Sequence, residues 1–316
     1  MFYKNRHLKI KGTGSYVPDK IVTNEELELS ADTSASWISE TLGIRERRVV
    51  AGNTFTSDLA SQAGLNAIEN AGIDKNDVEL IIVATSTPDR KAPSTACITQ
   101  HKMGITNNCA AFDIAAVCSG FLYAMTMGAQ FIQTGMYKNI LIIGADIFSS
   151  ITDWDRRDCV FFGDGAGAAV LSYSEEENLF SSLLFADGRG QDHFTVYPDD
   201  AFYSMNGKAV FDTATKVLPA CISEVLERNN IFISDISMVL PHQPSIGILK
   251  KTAEVLDIPF EKVKTNMDRY ANTSGATIPL LLDEQNRGGN IKPGDTVVFA
   301  AVGSGWTWGA AVYTWR

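Results

Sequence analysis

The chain has 316 residues, 45% hydrophobic and 20% charged, an ordinary globular make-up with length for two substantial cores. A net charge of -10 argues against a general nucleic-acid binder, which needs a basic face, although a local basic patch around an anionic ligand stays open. No run of about 18 apolar residues predicts a membrane span. The opening Met1-Phe2-Tyr3-Lys4-Asn5-Arg6 lacks the apolar core of a signal peptide. The cysteines are Cys97, Cys109, Cys118, Cys159 and Cys221. They are odd in number and include no C-x-x-C pair, so neither a disulfide framework nor a zinc or other metal site is expected. A reducing cytoplasm is the expected setting.

Residues 57–71 read as a helix, with Thr56 or Ser57 as candidate N-cap. The run Leu80-Ile81-Ile82-Val83-Ala84 then suits a strand covered on both faces. A strand-like stretch from Asp113 ends at Cys118-Ser119-Gly120. Behind it Phe121, Met125, Ala129 and Ile132 repeat at helical spacing. A thiol at such a strand-to-helix turn sits at the positive end of a helix, where a lowered pKa and a reactive thiolate are expected. The competing reading is a buried, inert cysteine. Residues 140–144 and 165–171 read as two further buried strands, the second with glycines that permit close backbone packing. Gly163-Asp164-Gly165-Ala166-Gly167 is no dinucleotide fingerprint, because no helix pattern follows it.

The acidic run Ser172-Tyr173-Ser174-Glu175-Glu176-Glu177 has no apolar periodicity and reads as a solvated turn. It divides the chain into halves, 1–173 and 174–316. Residues 211–229 read as a helix interrupted by Pro219, residues 237–240 as a short strand, residues 246–256 as a helix and residues 296–302 as a buried strand. Helices alternating with such strands imply a layered α/β architecture. The short strand delivers His242 into the Pro-bounded turn Pro241-His242-Gln243-Pro244, as a cavity-facing group or as a structural histidine. Asn272 stands among small polar residues, as a functional amide or as a turn or helix cap. Gly303-Ser304-Gly305 breaks the last buried strand. Such a loop either turns backbone N–H groups toward an oxyanion or is a simple bulge.

Six motifs in register give the chain a family resemblance over nearly its full length. They are Trp37 with Gly43-Ile44-Arg45-Glu46-Arg47; Ala116-Val117-Cys118-Ser119-Gly120-Phe121; Phe162-Gly163-Asp164-Gly165-Ala166-Gly167-Ala168; Pro241-His242-Gln243; Asn272-Thr273-Ser274; and Trp306-Thr307-Trp308-Gly309. The chain resembles the β-ketoacyl-acyl carrier protein synthase III enzymes of the thiolase superfamily. The resemblance implies a thiolase fold, two similar halves in a five-layered α-β-α-β-α sandwich, and a homodimer. It implies coenzyme A thioesters as substrates and no tightly bound cofactor. Cys118 would take an acyl group from acyl-coenzyme A. Malonyl-coenzyme A or a malonyl-acyl carrier protein would then lose carbon dioxide, and its enolate would attack the acyl carbon. By the same resemblance His242 and Asn272 bind the malonyl carbonyl, and the backbone N–H groups of Cys118 and Ser304 form the oxyanion hole. Trp37 and Arg156 flank the adenine, and Gly207, Phe211 and Ser245 line the way in. Ala92 reaches the partner's acyl pocket.

Departures from the family pattern sit at the edges. Thr41 stands where an arginine helps bind the nucleotide phosphates. Gly247, Glu254 and Val255 stand where basic residues meet the carrier protein, with Lys250 and Lys251 close by. Pro244 and Ser245 replace Ala and Asn after the His-Gln pair, Ala271 and Ser304 replace glycines, and Ala92 replaces a bulky aromatic. These changes suit, in place of the start of fatty acid synthesis from acetyl-coenzyme A, a specialised relative that condenses or transfers a longer or unusual acyl group, as in polyketide or other secondary metabolism or in vitamin synthesis. Two other readings are an acyltransferase on the same fold, moving the acyl group from Cys118 to an alcohol or amine, and a non-catalytic subunit. The intact trio argues against the second.

Overall fold

The computed structural model describes residues 7–197 and 199–316; the opening six residues, read above for a signal peptide, lie outside the described residues. The apolar runs assemble into two sheets. The first holds β1 (His7–Tyr16), β2 (Leu80–Ala84), β3 (Ala110–Ile114), β4 (Asn139–Ile147) and β5 (Asp164–Ser174), in the order β1-β5-β4-β2-β3. β2 is parallel to β3 and β4, and β5 is antiparallel to β4 and β1. The second sheet holds β6 (Phe180–Ala186), β7 (Met238–Pro241), β8 (Thr296–Gly303) and β9 (Thr307–Thr314), in the order β7-β8-β9-β6. Only β7 and β8 run parallel.

Six helices cover these sheets: α1 (Thr56–Ala71), α2 (Thr95–Lys102), α3 (Gly120–Thr134), α4 (Gly207–Arg228), α5 (Ile246–Leu256) and α6 (Thr277–Arg287). α3 and α6 lie between the sheets. There Phe121, Met125, Ile132, Leu281 and Leu282 pack with Ile82 and Ile142 on one side and Leu240 and Phe299 on the other. α1 and α2 cover the outer face of the first sheet, and α4 and α5 that of the second. The result is five layers, α-β-α-β-α. The continuous apolar runs follow from this. Leu80 and Ile82 point inward to α3, while Ile81 and Val83 point outward to α1, so both alternating faces are apolar.

Two glycines let the central layer approach closely. A Cβ at Gly167 would lie 2.6 Å from the Leu280 backbone nitrogen, and one at Gly144 would lie 2.1 Å from the Gly275 carbonyl oxygen. Only Glu175-Glu176-Glu177 of the acidic run is exposed turn between β5, in the first sheet, and β6, in the second; Ser172-Tyr173-Ser174, read above as part of that turn, continue β5 because they pair with β1, and Ser172 is buried.

Two expectations are corrected. α1 begins at Thr56 with Phe55 as its cap residue, because the hydroxyls of Thr56 and Ser57 donate instead to the Thr87 carbonyl and the Asp89 carboxylate. The Asp58 carboxylate takes the Phe55 N–H at 2.9 Å. Pro219 does not interrupt α4, which runs unbroken through it. One lost backbone bond is outweighed by the buried face of Leu218, Ile222 and Val225.

Candidate active site

Cys118 lies in a short 3-10 turn, Val117–Ser119, between β3 and α3; the helix itself starts at Gly120. Val117 adopts φ 45°, a strained value for a β-branched residue. Ser119 Oγ donates to the Thr307 carbonyl at 3.0 Å, and Thr307 Oγ1 donates to the Ala116 carbonyl at 3.3 Å. These bonds hold the turn against the β8–β9 connection. A Cβ at Gly303 would lie 3.1 Å from the backbone nitrogens of Cys118 and Ser119. Ser304, which follows, borders the same cavity as Cys118.

The Cys118 thiol corrects the pKa expectation. Close packing around the sulfur pushes it up to about 12, and Asp146 adds to the rise while a hydrogen bond with Ser274 opposes it. The side chain keeps partial exposure on its cavity side. Position beside a helix start does not overcome desolvation here.

His242 follows directly on β7, its backbone N–H donating to the Ala300 carbonyl at 2.8 Å. The ring is buried, and Nδ1 lies 2.7 Å from Thr277 Oγ1. Burial pushes its pKa down to about 3, so the imidazole is neutral near pH 7. Asn272 is pinned by two backbone bonds, its N–H to the Phe161 carbonyl and its carbonyl from the Gly163 N–H, each 3.0 Å. Its Oδ1 accepts the Ser274 N–H at 2.8 Å. That is the turn chemistry the sequence suggested, and it leaves Nδ2 without a protein partner among the described residues.

Cys118, His242 and Asn272 arrive from three separate elements at one cavity of about 380 Å³, a volume in the range of small-molecule sites. Its wall is largely apolar, with Phe161, Phe162, Phe194, Phe211 and Trp306 among its rings. Phe162 stacks on Phe148 at 4.4 Å and meets Phe194 and Tyr203 edge-on. Gly207, Phe211 and Ser245 line the same cavity, and Ser245 also caps α5 through the Ile248 N–H at 3.4 Å. Ala92 is exposed and is absent from this wall.

A second recess of about 360 Å³ shares Trp37, Phe161, Met205 and Gly207 with the cavity and adds Arg156, Arg157 and Asp158. The two adjoin through these shared residues, and the outer rim carries two arginines and one aspartate, on a chain of net charge -10. The Arg157 guanidinium stacks 4.4 Å from the indole centroid, while Arg156 bonds Asp158 at 2.9 Å. The resemblance placed Arg156 beside the adenine and did not single out Arg157. The second arginine of the Gly43–Arg47 motif has a different task. Arg47 is fully buried and donates to Asn24 Oδ1 at 3.0 Å, to the Val22 carbonyl at 3.2 Å and to the Val160 carbonyl at 3.0 Å. It staples the floor beneath the Trp37 segment.

Two family models match the chain, 3-oxoacyl-[acyl-carrier-protein (ACP)] synthase III over residues 112–188 and its C-terminal counterpart over residues 226–315. The chain is 46% identical over 312 residues to the β-ketoacyl-[acyl-carrier-protein] synthase III of Ehrlichia canis (strain Jake), covering 96% of this chain and 98% of that protein. The crystal structure of 3-oxoacyl-[acyl-carrier-protein] synthase III from Aquifex aeolicus VF5 superposes with a TM-score of 0.94 at 39% identity, covering 98% of this chain and 100% of that one. The priming β-ketosynthase from the R1128 polyketide biosynthetic pathway superposes with a TM-score of 0.94 at 27% identity, covering 100% of this chain and 98% of that one.

Proposed function

This chain belongs to the 3-oxoacyl-[acyl-carrier-protein] synthase III family of thiolase-fold condensing enzymes, and on that premise we propose how its own residues carry a two-stage condensation. Cys118 attacks an acyl-coenzyme A thioester and keeps the acyl group. A malonyl thioester, on carrier protein or coenzyme A, then enters and loses carbon dioxide. His242 and Asn272 Nδ2 donate to its carbonyl as enolate charge develops. The enolate attacks the acyl carbon, the backbone N–H groups of Cys118 and Ser304 hold the tetrahedral oxyanion, and a 3-oxoacyl thioester leaves. The observation that carries this reading is the meeting of Cys118, His242 and Asn272 at one apolar-walled cavity behind a basic mouth.

At that mouth Trp37 and the paired Arg156 and Arg157 suit an adenine ring and phosphates. Arg157 in particular compensates for Thr41, which lines the cavity without a charge. Gly207 and Phe211 suit the pantetheine arm. Coenzyme A thioesters enter as substrates, with no resident cofactor. The chain divides at 173/174, the nucleophile in 1–173 and the His and Asn in 174–316. Support comes from the sheets, β1–β5 ending at Ser174, one residue past that division, and β6–β9 lying wholly in the second part. A cytoplasmic homodimer completes the reading. Among the described residues no helix is long and apolar enough to cross a membrane.

Intact-protein mass spectrometry after incubation with acyl-coenzyme A thioesters tests the assignment. Cys118→Ala should abolish the adduct, while substitutions of the other four cysteines should not. His242→Ala and Asn272→Ala should still take the acyl group but lose about 100-fold or more in carbon dioxide release from a malonyl thioester. An adduct on Cys118→Ala, or full decarboxylation in both other variants, would refute the scheme.

A further inference from the structure

Acylation asks something of the site that His242 and Asn272 do not supply. Close packing keeps the Cys118 thiol protonated near pH 7, yet the reactive form is the thiolate. Among the described residues one side chain bonds the sulfur: Cys118 Sγ–H donates to Ser274 Oγ at 3.7 Å. Ser274 opens the 3-10 turn Ser274–Ala276 and is fully buried. It adopts φ 52°, an uncommon conformation for a residue with a Cβ. The same residue donates its N–H to Asn272 Oδ1 at 2.8 Å, and its carbonyl oxygen lies 2.7 Å from the Thr277 hydroxyl.

The turn that carries Ser274 is held from β4. Asp146, fully buried near the end of that strand, accepts the Gly275 N–H on Oδ2 at 2.9 Å. Its Oδ1 accepts the Ser86 N–H at 2.7 Å and the Thr87 N–H at 3.2 Å. A Cβ at residue 275 would lie 3.5 Å from the Val117 carbonyl oxygen, so this turn and the nucleophile turn touch through backbone. A turn that served only to present Asn272 or to start α6 would use the N–H and carbonyl of residue 274, which any residue offers. It would not need a hydroxyl seated on the nucleophile's sulfur, nor a left-handed serine to put it there.

Resting on the nucleophilic role of Cys118 given above, we propose that Ser274 is a further catalytic residue, whose hydroxyl holds the Cys118 sulfur first as thiol and then as thiolate. A hydroxyl suits both states, since it accepts from S–H and, after rotating, donates to the charged sulfur. With S–H turned to Ser274, the sulfur lone pairs are free on the cavity side. In acylation the thiol proton leaves to water and the Ser274 hydroxyl turns to the sulfur. The sulfur bonds to the acyl carbon, and the carbon–sulfur bond to coenzyme A breaks. The departing thiolate takes a proton from water, so Ser274 ends with the proton it began with. In condensation the enolate carbon bonds to the acyl carbon and the bond to Cys118 breaks. The expelled thiolate again meets the Ser274 hydroxyl before water returns its proton.

Two reactions of Cys118, read by intact mass at neutral pH, test this: acylation by acetyl-coenzyme A and alkylation by iodoacetamide. The second reagent is small and uncharged, and it needs the thiolate but no oxyanion hole. Carbon dioxide release from malonyl-coenzyme A and thermal melting are measured alongside. Ser274→Ala keeps the N–H bond to Asn272 and the carbonyl beside Thr277, so it should melt near the native temperature. It should slow both Cys118 reactions by about tenfold or more, the scale of a hydrogen bond to a charged atom, while carbon dioxide release falls much less. Ser274→Gly relieves the left-handed backbone and should be slowed in the same way. Native rates of acylation and alkylation in either variant, or equal slowing of carbon dioxide release, overturn the role of the hydroxyl. Should Ser274→Ala fail to fold, Ser274→Gly decides alone. Failure of the functional reading itself looks different: in the native chain the acetyl adduct would form at a residue other than Cys118.

Discussion

Thr277 controls what His242 can offer. Its Oγ1 lies 2.7 Å from His242 Nδ1 and 2.7 Å from the Ser274 carbonyl oxygen, and a hydroxyl has one proton for two acceptors. Given to Nδ1, that proton leaves Nε2 as the protonated nitrogen, ready to donate to a thioester carbonyl. Given to the Ser274 carbonyl, it forces Nδ1 to be the protonated nitrogen and strips Nε2 of its hydrogen. Donation to the malonyl carbonyl requires the first arrangement. Thr277→Val should therefore leave acylation of Cys118 intact while slowing malonyl decarboxylation by about 10-fold to 100-fold; equal slowing of both half-reactions would point to collapse of the site. A second consequence concerns pH. With the folded pKa of His242 near 3 against an ordinary 6.5, the unfolded chain binds the extra proton first. Stability tied to this group is complete above about pH 6.5 and falls as pH drops toward 3. Asp146, raised to about 6, acts with the opposite sign between about pH 4 and 6. The difference between the native chain and His242→Gln isolates the histidine: the variant should lose less melting temperature between about pH 7 and pH 5. At this scale the sequence singled out Cys118 and His242 because each sits at the end of a recognisable element, and Asn272 only through the family resemblance. Ser274 and Thr277 were hidden in a cluster of small polar residues that looks like any turn. Asp146 did leave a trace, a carboxylate inside a strand whose neighbours are all apolar.

Elements meet at this site through glycine. Gly303, at the end of β8, presses on the nucleophile turn with 3.1 Å between a hypothetical Cβ and the Cys118 nitrogen. That is tight enough to displace the turn by a few tenths of an ångström without breaking the layer. Gly303→Ala should thus melt close to the native temperature but acylate at least about 10-fold more slowly, because oxyanion donors act only at the correct distance. Gly144→Ala meets a different limit. Its Cβ would lie 2.1 Å from the Gly275 carbonyl oxygen, a backbone clash that should cost several kcal/mol, about the upper range for single substitutions, and yield little folded protein. Comparable melting of the two variants would contradict this ranking. The extents of β2 and α5 were readable because apolar runs and helical spacing decide them locally. The α1 cap and the course of α4 through Pro219 were not, since a distant acceptor at 87–89 and a buried helix face overrode the local signals. The thiol pKa was misread for a related reason: sequence shows which residue begins a helix, but not how much packing surrounds it.

At the scale of the whole molecule, one edge of the first sheet is still open. β3 is its last strand, with β2 as its single neighbour. The Asp113 carboxylate in β3 accepts the N–H groups of Thr95 and Ala96, at 2.6 Å and 2.7 Å, so α2 and the loop before it are tied to that edge. Unpaired edges invite a second copy of the chain, and pairing there would carry Ala92 toward the neighbour. If the loop at 90–93 reaches the partner's acyl cavity, an alanine in place of an aromatic leaves room for a longer chain. Each added buried CH₂ is worth about 0.8 kcal/mol, and tenfold preference takes about 1.4 kcal/mol. Two more methylenes would therefore favour the longer primer clearly over acetyl. Ala92→Phe should shift Cys118 acylation from octanoyl- toward acetyl-coenzyme A, with solution mass and melting temperature the same as those of the native chain. Should another side chain already fill that space, the added ring would overpack the site and depress every donor alike. The ratio of octanoyl to acetyl rates separates the cases: a fall of at least about tenfold supports a long-acyl pocket completed by the second copy, and an unchanged ratio removes it.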